Sequence, residues 1–135
     1  MKFWFSGEVQ ADVADAYRAV RKDVEAALNE ALGDRTYGPQ LTEWDLIAII
    51  RRSDHPDFGE MTNYDRSDKS LEFRLKIDHG RFKEADELKR RRMLMECVLR
   101  SAREAVRVAP AGTSLEQIER DLLEVAHAKQ WMVVD

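Results

Sequence analysis

The sequence predicts an α+β domain: an antiparallel four-stranded sheet with helices packed on one face, in the order β-α-β-β-β-α-α. Three patterns carry that expectation. Ser70–Asp78 alternates, with Leu71, Phe73, Leu75 and Ile77 on one side and Glu72, Arg74, Lys76 and Asp78 on the other, as in a sheet with one dry and one wet face. Within Asp12–Leu32, the residues Val13, Tyr17, Val20, Val24, Leu28 and Leu32 recur at steps of three and four, the stripe of an amphipathic helix. The three strand-like segments between Glu43 and Asp78 have short connections, for which an antiparallel meander is the natural pairing.

In chain order, Lys2–Glu8 reads as a short strand, because Phe3, Trp4 and Phe5 suit a pleated surface and Ser6–Gly7 closes it. In the helix that follows, Asp12 is placed to cap the N-terminus and Gly33 to take a left-handed C-terminal position. Asp34–Gln40 is a loop broken by Gly38–Pro39. Glu43–Arg51, with Trp44, Leu46, Ile47, Ile49 and Ile50, suits a central strand covered on both sides, with a buried helix as the alternative that periodicity leaves open. Ser53–Gly59 is dense in turn formers, Glu60–Asp65 reads as a strand and Arg66–Asp68 as a tight turn. Helical character returns from about Arg81 to Val108, along a stripe of Ala85, Leu88, Met95, Leu99, Ala102 and Val106 on which Arg92 is the misfit. Pro110–Gly112 ends it, and Thr113 with Glu116 forms the pattern of a capping box for a last helix carrying Leu115, Ile118, Leu122 and Val125. The tail Trp131–Val134 is apolar enough to dock or to add a strand.

The 135 residues fit one domain, spanning 1–135. Lys and Arg number 22 against 26 Asp and Glu, a formal charge of −4 that argues against a protein built mainly to grip nucleic acid. One Cys excludes an internal disulfide framework and suits a reducing compartment. The longest apolar runs, such as Leu46–Ile50, are far shorter than a membrane span, and the opening segment is too interrupted for a signal peptide. The expectation is a cytoplasmic protein.

Chemistry-bearing groups are sparse. His55 in Asp54-His55-Pro56-Asp57 and His79 after Asp78 flank the meander, and they would serve a small hydrolase or nuclease only if they converged on one substrate. His- or Cys-based metal spacings and phosphate-cradling glycine loops are missing, so no cofactor or metal is expected. Cys97 sits beside the Met95–Leu99 stripe as a small hydrophobe. The basic run Lys89–Arg92, continued by Arg100, Arg103 and Arg107, offers an alternative reading as a nucleic-acid-binding regulator. Four successive helical residues fan over roughly 300°, however, and Glu84, Asp86 and Glu87 stand at pairing distances.

The most informative pattern is acidic. Asp54, Asp57, Glu60, Asp65 and Asp68 face a single base, Arg66, giving a net −4 within 54–68, with Phe58 and Tyr64 interleaved. Carboxylates steer a basic protein partner and rigid rings anchor it. Asp54, Asp57, Glu60, Tyr64, Asp65 and Asp68 are therefore the candidate binding residues, supported by Glu43 and Asp45.

The opening Lys2-Phe3-Trp4-Phe5-Ser6-Gly7-Glu8 and its long helix, the stretch from Tyr37-Gly38 through Trp44-Asp45 to Ile47–Ile50, and the charged helix Phe82–Val108 together resemble bacterial immunity proteins that accompany polymorphic toxins, including those of contact-dependent growth inhibition. The resemblance implies a cytoplasmic, non-enzymatic protein that binds the C-terminal domain of a cognate toxin, often a nuclease, and blocks it. An acidic inhibitor fits a basic nuclease surface, its carboxylates standing where phosphates would. A homodimer through Trp4, Trp131 or an edge strand is open on the sequence.

Overall fold

The computed structural model describes residues 1–52 and 61–132. Strand β1 (Lys2–Val9) leads through a short 3-10 turn, Ala11–Val13, into helix α1 (Ala14–Leu32). Strands β2 (Glu43–Arg51), β3 (Met61–Asp65) and β4 (Ser70–Asp78) follow, then helices α2 (His79–Glu84), α3 (Glu87–Glu104) and α4 (Leu115–Lys129).

The α+β class, the four strands and the helical coat agree with the expectation, but the sheet is not an antiparallel meander. Its order is β1-β2-β4-β3, with β1, β2 and β4 parallel and only β3 antiparallel, to β4. Three physical reasons account for the difference. A parallel β1–β2 pair needs a crossover, and α1 supplies it. Only β3 and β4 are joined tightly enough to pair as a hairpin, through Arg66–Lys69 with Lys69 at φ 53°. β4, which carries four core side chains, takes the inner position, and the short polar Thr62-Asn63-Tyr64-Asp65 is left at the edge.

The register puts Phe3 and Phe5, then Trp44, Leu46, Ala48 and Ile50, then Leu71, Phe73, Leu75 and Ile77 on one face. All are buried, and α1 and α3 lie over them. Trp44 stacks on Phe73 with ring centroids 4.8 Å apart, and its indole N–H donates to Ser101 Oγ at 2.9 Å. The Ser101 hydroxyl in turn donates to the Val98 carbonyl at 2.6 Å, so the polar atoms of this layer are partnered.

Several local expectations are corrected. The helix read as continuous from Arg81 to Val108 is two helices, because Asp86 breaks away in an extended conformation and caps α3 by accepting from the Lys89 N–H. Asp12 lies in the 3-10 turn and pairs with His79 and Lys83 instead of capping α1. Gly33 is right-handed at φ −62°; the left-handed C-terminal residue belongs to α4, at Gln130. Thr113 makes no capping box, since its hydroxyl donates to the Pro110 carbonyl and Ser114 precedes α4. The Arg92 misfit is resolved by its guanidinium, which donates to the Gln130 carbonyl at 3.2 Å. Trp131 docks into the core.

Candidate functional site

The other face of the sheet carries no helix among the described residues, and its side chains stand in rows set by the register. One row is Trp4, Asp45, Glu72 and Asn63; the row below it is Lys2, Glu43, Ser70 and Asp65; the row above holds Ser6, Ile47 and Arg74. Neighbours along such a row are about 5 Å apart. Alternation along β1 sends Phe3 and Phe5 inward and leaves Trp4 43% exposed, the largest ring on this side. Ile49 also belongs to this face; it is 5% exposed yet stands apart from the core cluster.

The electrostatics are uneven. Higher on the face, Glu8 pairs with Arg51 at 3.0 Å, and Arg74 lies 3.8 Å from Glu8 and 3.9 Å from Glu72. Lower down, negative charge collects. Partial burial disfavours the ionised Asp45 carboxylate, and Glu43, Glu72 and Asp68 repel it, so its pKa is pushed up to about 6. Among the described residues, the charged groups that raise it are all carboxylates. That arrangement costs the folded chain energy which a cationic partner would recover.

Of the candidate residues, Glu43 and Asp45 fall on the open face, with Asp65 and Asp68 at its hairpin end. Asp65 is partly engaged: its carboxylate accepts from the Ser67 N–H and hydroxyl and from the Asp68 N–H, which lowers its pKa. Tyr64 pairs in register with Leu71 and faces the helical side, where it is half-buried against the core and donates to the Gln40 carbonyl at 2.6 Å. Asp54, Asp57, Glu60 and His55 lie outside the described residues. Sequence reasoning missed Trp4 and Glu72. The signal for both was present, in the strict alternation of β1 and β4, but it takes the strand register to set them beside Asp45.

Several of the alternative groups are held in structural contacts. His79 Nε2 lies 3.0 Å from both Asp12 carboxylate oxygens, and Lys83 Nζ lies 3.2 Å from one of them. These contacts hold the Asp12 pKa down and fasten the start of α2 to the turn before α1. In the basic run, Arg90 donates to the Phe82 and Lys83 carbonyls and closes the end of α2. Arg91 bridges Asp23 and Glu87, and Arg103 and Arg107 lie near Glu119 and Glu104. Burial of Cys97 pushes its thiol up to about 12, far from a nucleophile's range. Among the described residues no group of three His, Cys, Asp or Glu can hold a metal, and no helix is long and apolar enough to cross a membrane.

No curated protein and no solved structure matches the chain. The family model described as Immunity protein 44 matches residues 1–128. That match spans nearly all of the 135 residues, and the chain belongs to the Immunity protein 44 family.

Proposed function

We propose that this chain neutralises the C-terminal domain of a cognate toxin in the cytoplasm, without catalysis, by direct contact through the open, acidic face of its sheet. The observation that carries this reading is the row Trp4–Asp45–Glu72 with Glu43 and Asp68 beside it: surplus carboxylates around an exposed ring, on a rigid sheet with no described helix over them. Membership of an immunity family supports a toxin as the partner. The charge of the face supports a basic one, and we take that partner to be a nuclease delivered by contact-dependent growth inhibition or a related competition system. Clustered carboxylates accelerate the encounter with such a surface, and the ring supplies contact area at low entropic cost.

Co-expression with the toxin domain encoded beside this chain tests the reading. A variant reversing Glu43, Asp45, Asp68 and Glu72 to Lys, with its fold checked by circular dichroism, is expected to lose both growth protection and co-purification. Full protection by that variant would remove the face from consideration. A second variant reversing only Asp54, Asp57 and Glu60, with Asp65 and Asp68 left in place at the hairpin end of the face, separates the acidic segment of the sequence from the face the sheet builds.

A further inference from the structure

We infer that the row Trp4–Asp45–Glu72 is built to receive an arginine side chain from the partner, its guanidinium stacked on the Trp4 indole and donating to the two carboxylates. This inference rests on the open face being the toxin-binding surface, and it specifies the group that seats there.

The first support is geometric. Trp4 and Asp45 are direct partners across β1 and β2, and Asp45 and Glu72 are direct partners across β2 and β4. All three side chains therefore leave the same face within about 10 Å. The second support is that a cation already uses the ring: Lys2 Nζ stands 4.3 Å from the Trp4 centroid. Lys2 lies two residues earlier on the same strand and face, and it is exposed. The ring thus accepts a positive charge on its face, here the chain's own ammonium. The third support is that, among the described residues, the charges that raise Asp45 are the carboxylates of Glu43, Glu72 and Asp68, while Arg74 lies 3.9 Å from Glu72 on the upper side of the row.

The choice of arginine over lysine follows from shape. An ammonium is a point charge that rests on a ring or pairs with a carboxylate. A guanidinium is flat, so its face lies on the indole while its in-plane N–H groups reach the carboxylates at the edge. The row has a ring at one end and carboxylates next to it, which matches the second geometry.

The test uses the full chain, labelled with nitrogen-15, and two probes: acetylated and amidated Gly-Arg-Gly and Gly-Lys-Gly tripeptides at low ionic strength. The arginine peptide is expected to shift the Trp4 indole N–H and the Asp45 and Glu72 amides with a dissociation constant on the order of 10 mM. The lysine peptide is expected to bind about fivefold more weakly. Trp4→Ala and Asp45→Asn should each abolish the arginine preference, and Trp4→Phe should keep part of it. Equal shifts from both peptides, shifts confined to other surfaces, or an unchanged preference in Trp4→Ala would overturn the inference. The toxin assay separates its failure from that of the face. If reversal of the four face carboxylates abolishes protection while the arginine peptide avoids the row, the face stands and the arginine seat falls. If the peptide binds the row but protection survives the reversal, the toxin sits elsewhere and the inference falls with the face.

Discussion

Asn29 on α1 holds both backbone polar groups of Phe3 on β1. Its side-chain carbonyl accepts from the Phe3 N–H at 2.7 Å, and its amide N–H donates to the Phe3 carbonyl at 2.9 Å. A primary amide here makes the pair of bonds that a neighbouring strand would make. One and two turns earlier on the helix the pattern continues: Glu25 accepts from the Phe5 N–H at 2.7 Å, and Arg21 donates to the Phe5 carbonyl at 2.7 Å. Tyr17, a further turn back, donates to the Ser6 carbonyl at 2.5 Å. Residues 17, 21, 25 and 29 form one ridge of the helix, and β1 is an edge strand. The ridge closes the edge that would otherwise template pairing with another chain.

Replacing Asn29 with Ala is therefore expected to act twice. It strands a part-buried N–H and C=O, at a cost of about 1–3 kcal/mol in urea denaturation. It also uncovers part of the β1 edge, so sedimentation velocity should show more concentration-dependent self-association than the parent chain shows. A variant that is equally stable and equally dispersed would mean that water serves Phe3 as well as Asn29 does.

Gly7 shows how closely that ridge approaches the strand. A Cβ built there meets the Tyr17 ring at 2.8 Å and the Ala48 carbonyl at 2.9 Å. The Ala48 oxygen belongs to the sheet backbone and has little freedom to retreat, so Gly7→Ala must displace β1 or the tyrosine. A loss of about 1–3 kcal/mol in thermal or urea unfolding is expected, with the hydrogen bond from Tyr17 to Ser6 lengthened in a structure of the variant.

These features mark the limit of what the sequence discloses. The helix stripe and the β4 alternation were legible because one-dimensional spacing encodes which face is dry. The ridge was not, because Arg21, Glu25 and Asn29 look like solvent-facing residues until β1 is known to lie beside them with a free edge. The mixed sheet escaped for a related reason: loop length limits which strands can be hairpins but does not tell whether β4 or β3 lies next to β2. The candidate site divides in the same way. Glu43 and Asp45 could be named from charge alone, whereas Tyr64 needed the register to show that it faces the helices. Trp4 needed it to be separated from the buried Phe3 and Phe5 on either side.

Asp121 gives a pH-dependent prediction. It is 2% exposed on α4, and it accepts from the Tyr37 hydroxyl and from Gln117 at 2.8 Å, with Arg35 at 2.9 Å. Burial pushes its pKa up, but the hydrogen bonds from Tyr37, Arg35 and Gln117 outweigh it, and the carboxyl sits below its ordinary range. A lowered folded-state pKa means stability that is present above the unfolded value, near about 3.9, and lost as the pH falls through the folded one. Asp121→Asn keeps the shape and loses the charge. It is expected to cost about 2–3 kcal/mol at neutral pH, with the gap to the parent closing below about pH 4. A gap independent of pH would assign the loss to packing alone.

Asp45 should behave in the opposite sense. Its pKa is raised to about 6 by partial burial and by Glu43, Glu72 and Asp68. A raised acid contributes stability that is complete below its unfolded pKa and lost as the pH rises through about 6. Near neutral pH the ionised Asp45 thus opposes folding. Asp45→Asn is expected to be more stable than the parent by about 1 kcal/mol there, a figure kept small because the group is only partly buried and solvent still screens it. The advantage should vanish near about pH 4, where the parent is protonated as well. The same variant should bind the toxin domain more weakly, by about 2 kcal/mol if Asp45 pairs with a partner cation that becomes desolvated. A substitution that strengthens the fold while weakening the complex marks a residue held in place for its partner. If Asp45→Asn instead lost stability at neutral pH, the carboxylate would be serving the sheet, and urea titrations of the two chains at two pH values decide between these outcomes.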